Sequence, residues 1–143
     1  MSSGFSPAEI EDMQQRAAEL RAAAAGGTGT KKKEREAADC TAAIEALAGS
    51  DKEIAQLLHR VVREEAPHLD PKTWYGFPSY ARDGKVVVFY QPASKFGTRY
   101  GSIGFNEDAF LDDGEFWPTS YAVLAISDKF EAKLRGLVSK AAG

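Results

Sequence analysis

The stretch Phe77-Pro78-Ser79-Tyr80-Ala81-Arg82-Asp83-Gly84-Lys85-Val86-Val87-Val88-Phe89-Tyr90-Gln91 reads as two β-strands joined by a two-residue turn. Asp83-Gly84 suits the positive φ angles of a tight hairpin turn, and the run Val86 to Tyr90 is rich in the β-branched and aromatic residues that fit a pleated surface. Alternation places Phe77 and Ser79 on one face of the first strand and Pro78 and Tyr80 on the other. Phe77 and Tyr80 therefore look to opposite sides of the sheet.

Downstream, Pro92 to Gly97 reads as a loop and Thr98 to Phe105 as a third strand, with Tyr100, Ser102 and Gly104 on one face and Arg99, Gly101, Ile103 and Phe105 on the other. Its two interior glycines predict close approach by another group. Asn106 suits the cap of a short helix through Leu111, ended by Asp112-Asp113-Gly114, and Tyr121 to Ile126 reads as the last strand. Ser127 caps a final helix whose buried stripe is Phe130, Leu134, Leu137 and Val138.

Upstream, Ser50-Asp51-Lys52-Glu53 has the form of a capping box. It precedes Ile54, Leu57, Leu58, Val61 and Val62 at the spacing of a core-facing helix that must stop before Pro67. His68 to Pro71 reads as a turn into Lys72-Thr73-Trp74-Tyr75-Gly76. Farther back, Ser6-Pro7-Ala8-Glu9 opens a thin, alanine-rich helix to about Ala25, and Gly26 to Thr30 breaks it. A second alanine-rich helix follows over about Lys31 to Leu47. These patterns predict an α+β domain over residues 41–143, a twisted antiparallel sheet packed against helices, with residues 1–40 as an N-terminal helical extension.

Composition narrows the function classes. A net charge of -3 supplies no general field for phosphate backbones, and Lys31-Lys32-Lys33 alternates into Glu34, Glu36 and Asp39, the pattern of a solvated helix start. No nucleic-acid partner is expected. No window approaches the ~20 apolar residues of a membrane span, the first residues lack a signal-peptide pattern, and Cys40 is the only cysteine. The expectation is a cytoplasmic chain without membrane attachment.

No phosphate loop, nucleophile elbow or metal-spaced histidine pair is present. What stands out is an excess of aromatic residues. Trp74, Phe77, Tyr80, Tyr100 and Trp117 are the candidate ligand-binding residues, since tyrosine hydroxyls and indole N–H groups beside apolar rings orient small ligands. Glu107, Asp108 and Asp112 lie in an acidic segment that hard cations would favour, though without the spacing of a calcium loop; Glu64 and Glu65 form a second acidic pair. Cys40 reads as a small buried residue.

From about Ile44 to Lys140 the chain resembles the YdhG-like family, in the frataxin-like or YjbR-CyaY-like group. The residues that carry the resemblance are Glu64-Glu65-Ala66-Pro67, the block Lys72 to Tyr80, the hairpin Asp83 to Phe89, Ile103-Gly104-Phe105 and Trp117-Pro118. The resemblance implies a helix-flanked antiparallel sheet in a cytoplasmic bacterial protein. Some relatives are iron-binding proteins or iron chaperones, and in frataxin-like proteins an acidic ridge on the first domain helix serves that role. The matching helix here mixes Asp51, Glu53, Glu64 and Glu65 with Lys52, Arg60 and Arg63, which weakens such a field.

Three functions follow as expectations. The first is a non-enzymatic module binding a small, partly aromatic or apolar molecule with no cofactor. The second is an iron-handling protein working with an iron-handling partner. The third is an interaction protein acting through its helical arm; none of the three specifies an oligomeric state.

Overall fold

The computed structural model describes residues 6–25 and 29–143; Met1 to Phe5, and the Gly26-Gly27-Thr28 part of the break between the first helices, lie outside them. The elements run α1 (Pro7–Ala25), α2 (Thr30–Glu45), α3 (Gly49–Glu65), β1 (Asp70–Trp74), β2 (Phe77–Arg82), β3 (Lys85–Gln91), α4 (Ala93–Phe96), β4 (Gly101–Phe105), β5 (Ser120–Val123) and α5 (Asp128–Ala142). The strands form one antiparallel meander in the order β1-β2-β3-β4-β5, so the fold is α+β.

One sheet face is the core. Strand register places Tyr80, Val88 and Phe105 in one cross-strand row and Tyr90 beside Ile103 in the next. These side chains share a buried cluster with Cys40 and Ile44 of α2, Leu58 and Val62 of α3, and Leu134 and Val138 of α5. All five apolar positions read for α3 are buried. Leu134 and Val138 of the α5 stripe are buried, with Phe130 and Leu137 packed against them. Ser127 accepts a hydrogen bond from the Phe130 N–H at 3.0 Å, and Ser6 caps α1 through the Glu9 N–H at 3.1 Å.

The opposite face carries a second aromatic cluster. Trp74 and Phe77 are cross-strand partners, and Ser79, Phe89 and Gly104 form the adjoining row. Ring centroids lie 5.0 Å apart for Trp74 and Phe89, 6.2 Å for Phe77 and Phe89, and 5.8 Å for Phe77 and Phe96. This side is covered by the single turn of α4 and by α1.

Several expectations change. Asp70 to Trp74 is a strand, β1; it lies at the sheet edge, where Pro71 costs no ladder bond that an inner strand would need. Pro92 to Gly97 contains α4. Asn106 to Leu111 is not a helix: Asn106 donates its N–H to Val87 and so prolongs the β3 pairing, and reverse turns follow at Ala109 and Leu111. β4 starts at Gly101 and β5 spans only Ser120–Val123. Ser50 does not cap α3, because the helix begins two residues earlier, at Gly49, with Ala48 at its N-cap. The boundary drawn at residue 40 falls within α2, whose Cys40 and Ile44 are core residues; only α1 has the character of an arm.

The two glycines of β4 pass beneath aromatic rings of β3 on opposite faces. A Cβ on Gly104 would lie within 3.0 Å of the Phe89 ring, and one on Gly101 within 3.0 Å of the Tyr90 ring and hydroxyl. Phe89 is half-buried and has room to shift, whereas Tyr90 is fully buried and its hydroxyl is hydrogen-bonded to Asp51 at 2.8 Å. Overpacking costs about 1–3 kcal/mol, so Gly104→Ala is expected near the bottom of that range and Gly101→Ala near the top. Urea unfolding of both variants checks the order, and equal losses would contradict it.

Candidate functional site

The site is built around the β1–β2 turn. Tyr75 and Gly76 both adopt positive φ, 53° and 79°, the signature of a two-residue hairpin turn with both central residues left-handed. Tyrosine rarely occupies that region, so the position is mildly strained. Two consecutive N–H groups point out of such a turn and form a small concavity for an anion. Here the anion is a side chain of α1: Glu19 Oε1 accepts the Tyr75 N–H at 3.1 Å and Glu19 Oε2 accepts the Gly76 N–H at 3.2 Å.

α4 supplies the other half. Asp51 of α3 accepts hydrogen bonds from the Tyr90 hydroxyl, the Ala93 N–H at 3.0 Å and the Ser94 N–H at 3.1 Å. A carboxylate thus caps a helix turn that belongs to a different element. Burial alone would raise the Asp51 pKa, but hydrogen bonds from Ser94, Tyr90 and Ala93 outweigh it and hold the carboxyl below its ordinary value. Burial and the Asp51 bond push the Tyr90 hydroxyl far up. The fixed α4 carries Lys95, whose ammonium donates to the Tyr75 carbonyl at 2.7 Å, lies 2.9 Å from Asp12 Oδ1 and stands 4.8 Å from the Phe77 ring centroid. Glycine suits position 76 because its φ of 79° lies in the left-handed region, and a Cβ there would also displace the Lys95 ammonium, 2.6 Å away.

Beside this turn a cavity of about 440 Å³ opens against Trp74, with Arg16, Lys72, Lys85, Asn106 and Asp108 around it. Trp74 is half-buried, its ring edge-on to Tyr75 and Phe89. Lys72 pairs with Glu36 at 3.3 Å, and the Arg16 guanidinium lies 5.7 Å from the centre of the Tyr75 ring.

The five aromatic candidates do not share a face. Trp74 and Phe77 lie together on the side covered by α1. Tyr80 is on the core side, fully buried, because alternation sends it opposite Phe77. Its hydroxyl meets His59 Nδ1 at 3.0 Å and accepts from Cys40 Sγ at 3.9 Å. Tyr100 is exposed just before β4, under Arg99. Trp117 lines a separate cavity of about 560 Å³ with Phe105 and Phe116, and Phe116 is 86% exposed.

The carboxylate candidates are also dispersed. Glu64 and Glu65 both pair with Arg135, at 3.3 and 3.2 Å, and Arg135 also holds Glu131 at 2.9 Å. Glu107 borders both cavities, Asp108 lies beside Trp74 with its carbonyl held by Arg82, and Asp112 lies beside Trp117. Among the described residues no three histidine, cysteine, aspartate or glutamate side chains converge as a metal site. No helix among them is long and apolar enough to cross a membrane.

Residues missed in the sequence are Asp12, Arg16, Glu19, Asp51 and Lys95. Tyr75-Gly76 between two β-prone runs is the available signal for the turn; nothing local marks the long-range partners. No family model, curated protein or solved structure matches the chain.

Two titrations shape stability. Asp51 contributes fully above its unfolded value near 3.8, and that contribution is lost as pH falls through its lower folded value. Burial and the nearby Arg63 charge lower the His59 pKa, so stability also declines as pH falls from 6.5 toward the folded value. Urea midpoints measured against pH should show the upper decline in the wild type and lose it in His59→Phe. Asp51→Ala leaves three donors without their acceptor and is expected to cost roughly 3 kcal/mol at pH 7; a cost below about 1 kcal/mol would contradict the capping role.

Proposed function

We propose that the protein is a non-enzymatic small-molecule-binding module whose ligand lies in the cavity beside Trp74. The observation that supports this most is a half-buried indole, set on a sheet strand, facing about 440 Å³ of open space with cationic and amide groups at its rim. That volume falls within the ~300–1,000 Å³ of ordinary ligand pockets. A planar, partly apolar molecule fits the ring, and Lys72, Lys85 and Asn106 suit a polar edge. The cavity beside Trp117 is larger, but it is walled by the Asn106 to Thr119 connection, and sites held by strands are more sharply positioned than sites on loops.

Cytoplasmic residence and membership of the YdhG-like group belong to the same proposal and rest on the sequence resemblance. The iron-handling alternative rests on that resemblance too, and Arg135 already engages the Glu64 and Glu65 carboxylates.

Trp117→Phe isolates the emission of Trp74. Titrating this variant with a panel of naphthalene, indole and quinoline derivatives should give saturable quenching by at least one compound. Binding of that compound, followed by its own fluorescence, should be lost in Trp74→Leu while the urea midpoint moves little. A flat response to the whole panel, together with a large stability loss in Trp74→Leu, would show that the indole is packing only.

A further inference from the structure

α1 is docked in a different manner from the other long helices. α2, α3 and α5 each contribute buried apolar side chains, whereas no described side chain of α1 is buried, and Met13 and Leu20 are 43% and 54% exposed. Its attachments are polar. Asp12 meets Lys95, Glu19 bridges the Tyr75 and Gly76 N–H groups, and Arg16 sits between them over the Tyr75 ring. Asp12 and Glu19 are seven residues apart, two helical turns, so one face of α1 presents two carboxylates, one to the Lys95 ammonium and one to the N–H pair of the turn.

The receiving surface has the complementary form. The turn offers two N–H donors, both taken by Glu19, and Lys95 an ammonium that stands over Phe77, whose ring packs with Phe89 and Phe96. Burial pushes the Asp12 carboxyl up despite the lowering pull of Lys95, so keeping it ionised is a cost that the docked helix bears. In sequence, Gly26-Gly27-Thr28-Gly29 joins α1 to α2, a composition that permits separation. An element with little buried apolar surface is the first to leave a fold.

We propose that the β1–β2 turn, Lys95 and the Phe77 face form a docking groove for an acidic helix of a partner protein, and that α1 fills this groove in cis. The partner presents carboxylates seven residues apart and lies along the groove as α1 does, a helix-in-groove mode. α1 then acts as an internal competitor: a groove open only a small fraction of the time shows an affinity reduced by that fraction. Arg16 leaves with α1, so partner docking also removes one wall of the cavity beside Trp74. The proposal stands without a ligand in that cavity.

The test uses the full chain and a fluorescently labelled, end-capped peptide with the sequence of residues 6–25 as the acidic helix. Opening the latch with Glu19→Gln and Asp12→Asn should tighten peptide binding by about 30-fold over the wild type, as for a groove closed about 97% of the time. Tyr75 and Gly76 amide resonances should shift on binding. The same two substitutions placed in the peptide, or Lys95→Met in the opened chain, should remove the gain. Should the double variant fail to fold, Glu19→Gln alone serves. Binding no tighter to the opened chain, or binding that survives neutralisation of the peptide, would overturn the proposal.

Discussion

An antiparallel sheet with aromatic side chains on both faces must cover both, and period-two alternation permits no other distribution of Phe77, Tyr80, Phe89 and Tyr90. The chain covers the two faces unequally. One receives α2, α3 and α5, whose leucine, isoleucine and valine stripes build a continuous core. The other receives one helical turn and a helix that docks mainly through charge. β4 makes this possible by passing glycines beneath the rings of Phe89 and Tyr90, so that neither face is forced apart.

The unequal cover places the chemistry. Tyrosine hydroxyls on the core side need polar partners, and Tyr90 finds Asp51 while Tyr80 finds His59 and Cys40. Asp51 is thereby held where it also caps α4. α4 in turn aims Lys95 across Phe77 at the strained Tyr75 turn. A core hydrogen bond thus helps to set a cation over Phe77 on the opposite face, under the helix of the proposed groove.

The helices α3 and α5 and the β2–β3 hairpin were legible because their signals are local: apolar spacing, Ser127 as a cap, and Asp83-Gly84 at a turn. β1 was not, since Asp70-Pro71 carries a turn signature and only its place at the sheet edge makes proline harmless there. The short helix read at Asn106 failed because Asn106 is claimed by Val87 of β3, a contact between residues far apart in the chain. For the site, alternation separated Phe77 from Tyr80, yet the five aromatic candidates were still grouped as one surface. Distances across the sheet show two of them together, Trp74 and Phe77. The carboxylates Glu64 and Glu65 looked free in the sequence because their partner, Arg135, lies 70 residues or more away.

The central claim is that α1 covers the second aromatic face by a polar latch that opens separately from the core. Native-state hydrogen exchange tests it most directly. The Tyr75 and Gly76 amides are expected to exchange at least about 100-fold faster than core amides such as those of Val88 and Ile103, and faster still as salt screens the latch. Protection of Tyr75 and Gly76 equal to that of the core, insensitive to salt, would contradict it and make α1 a fixed part of the domain.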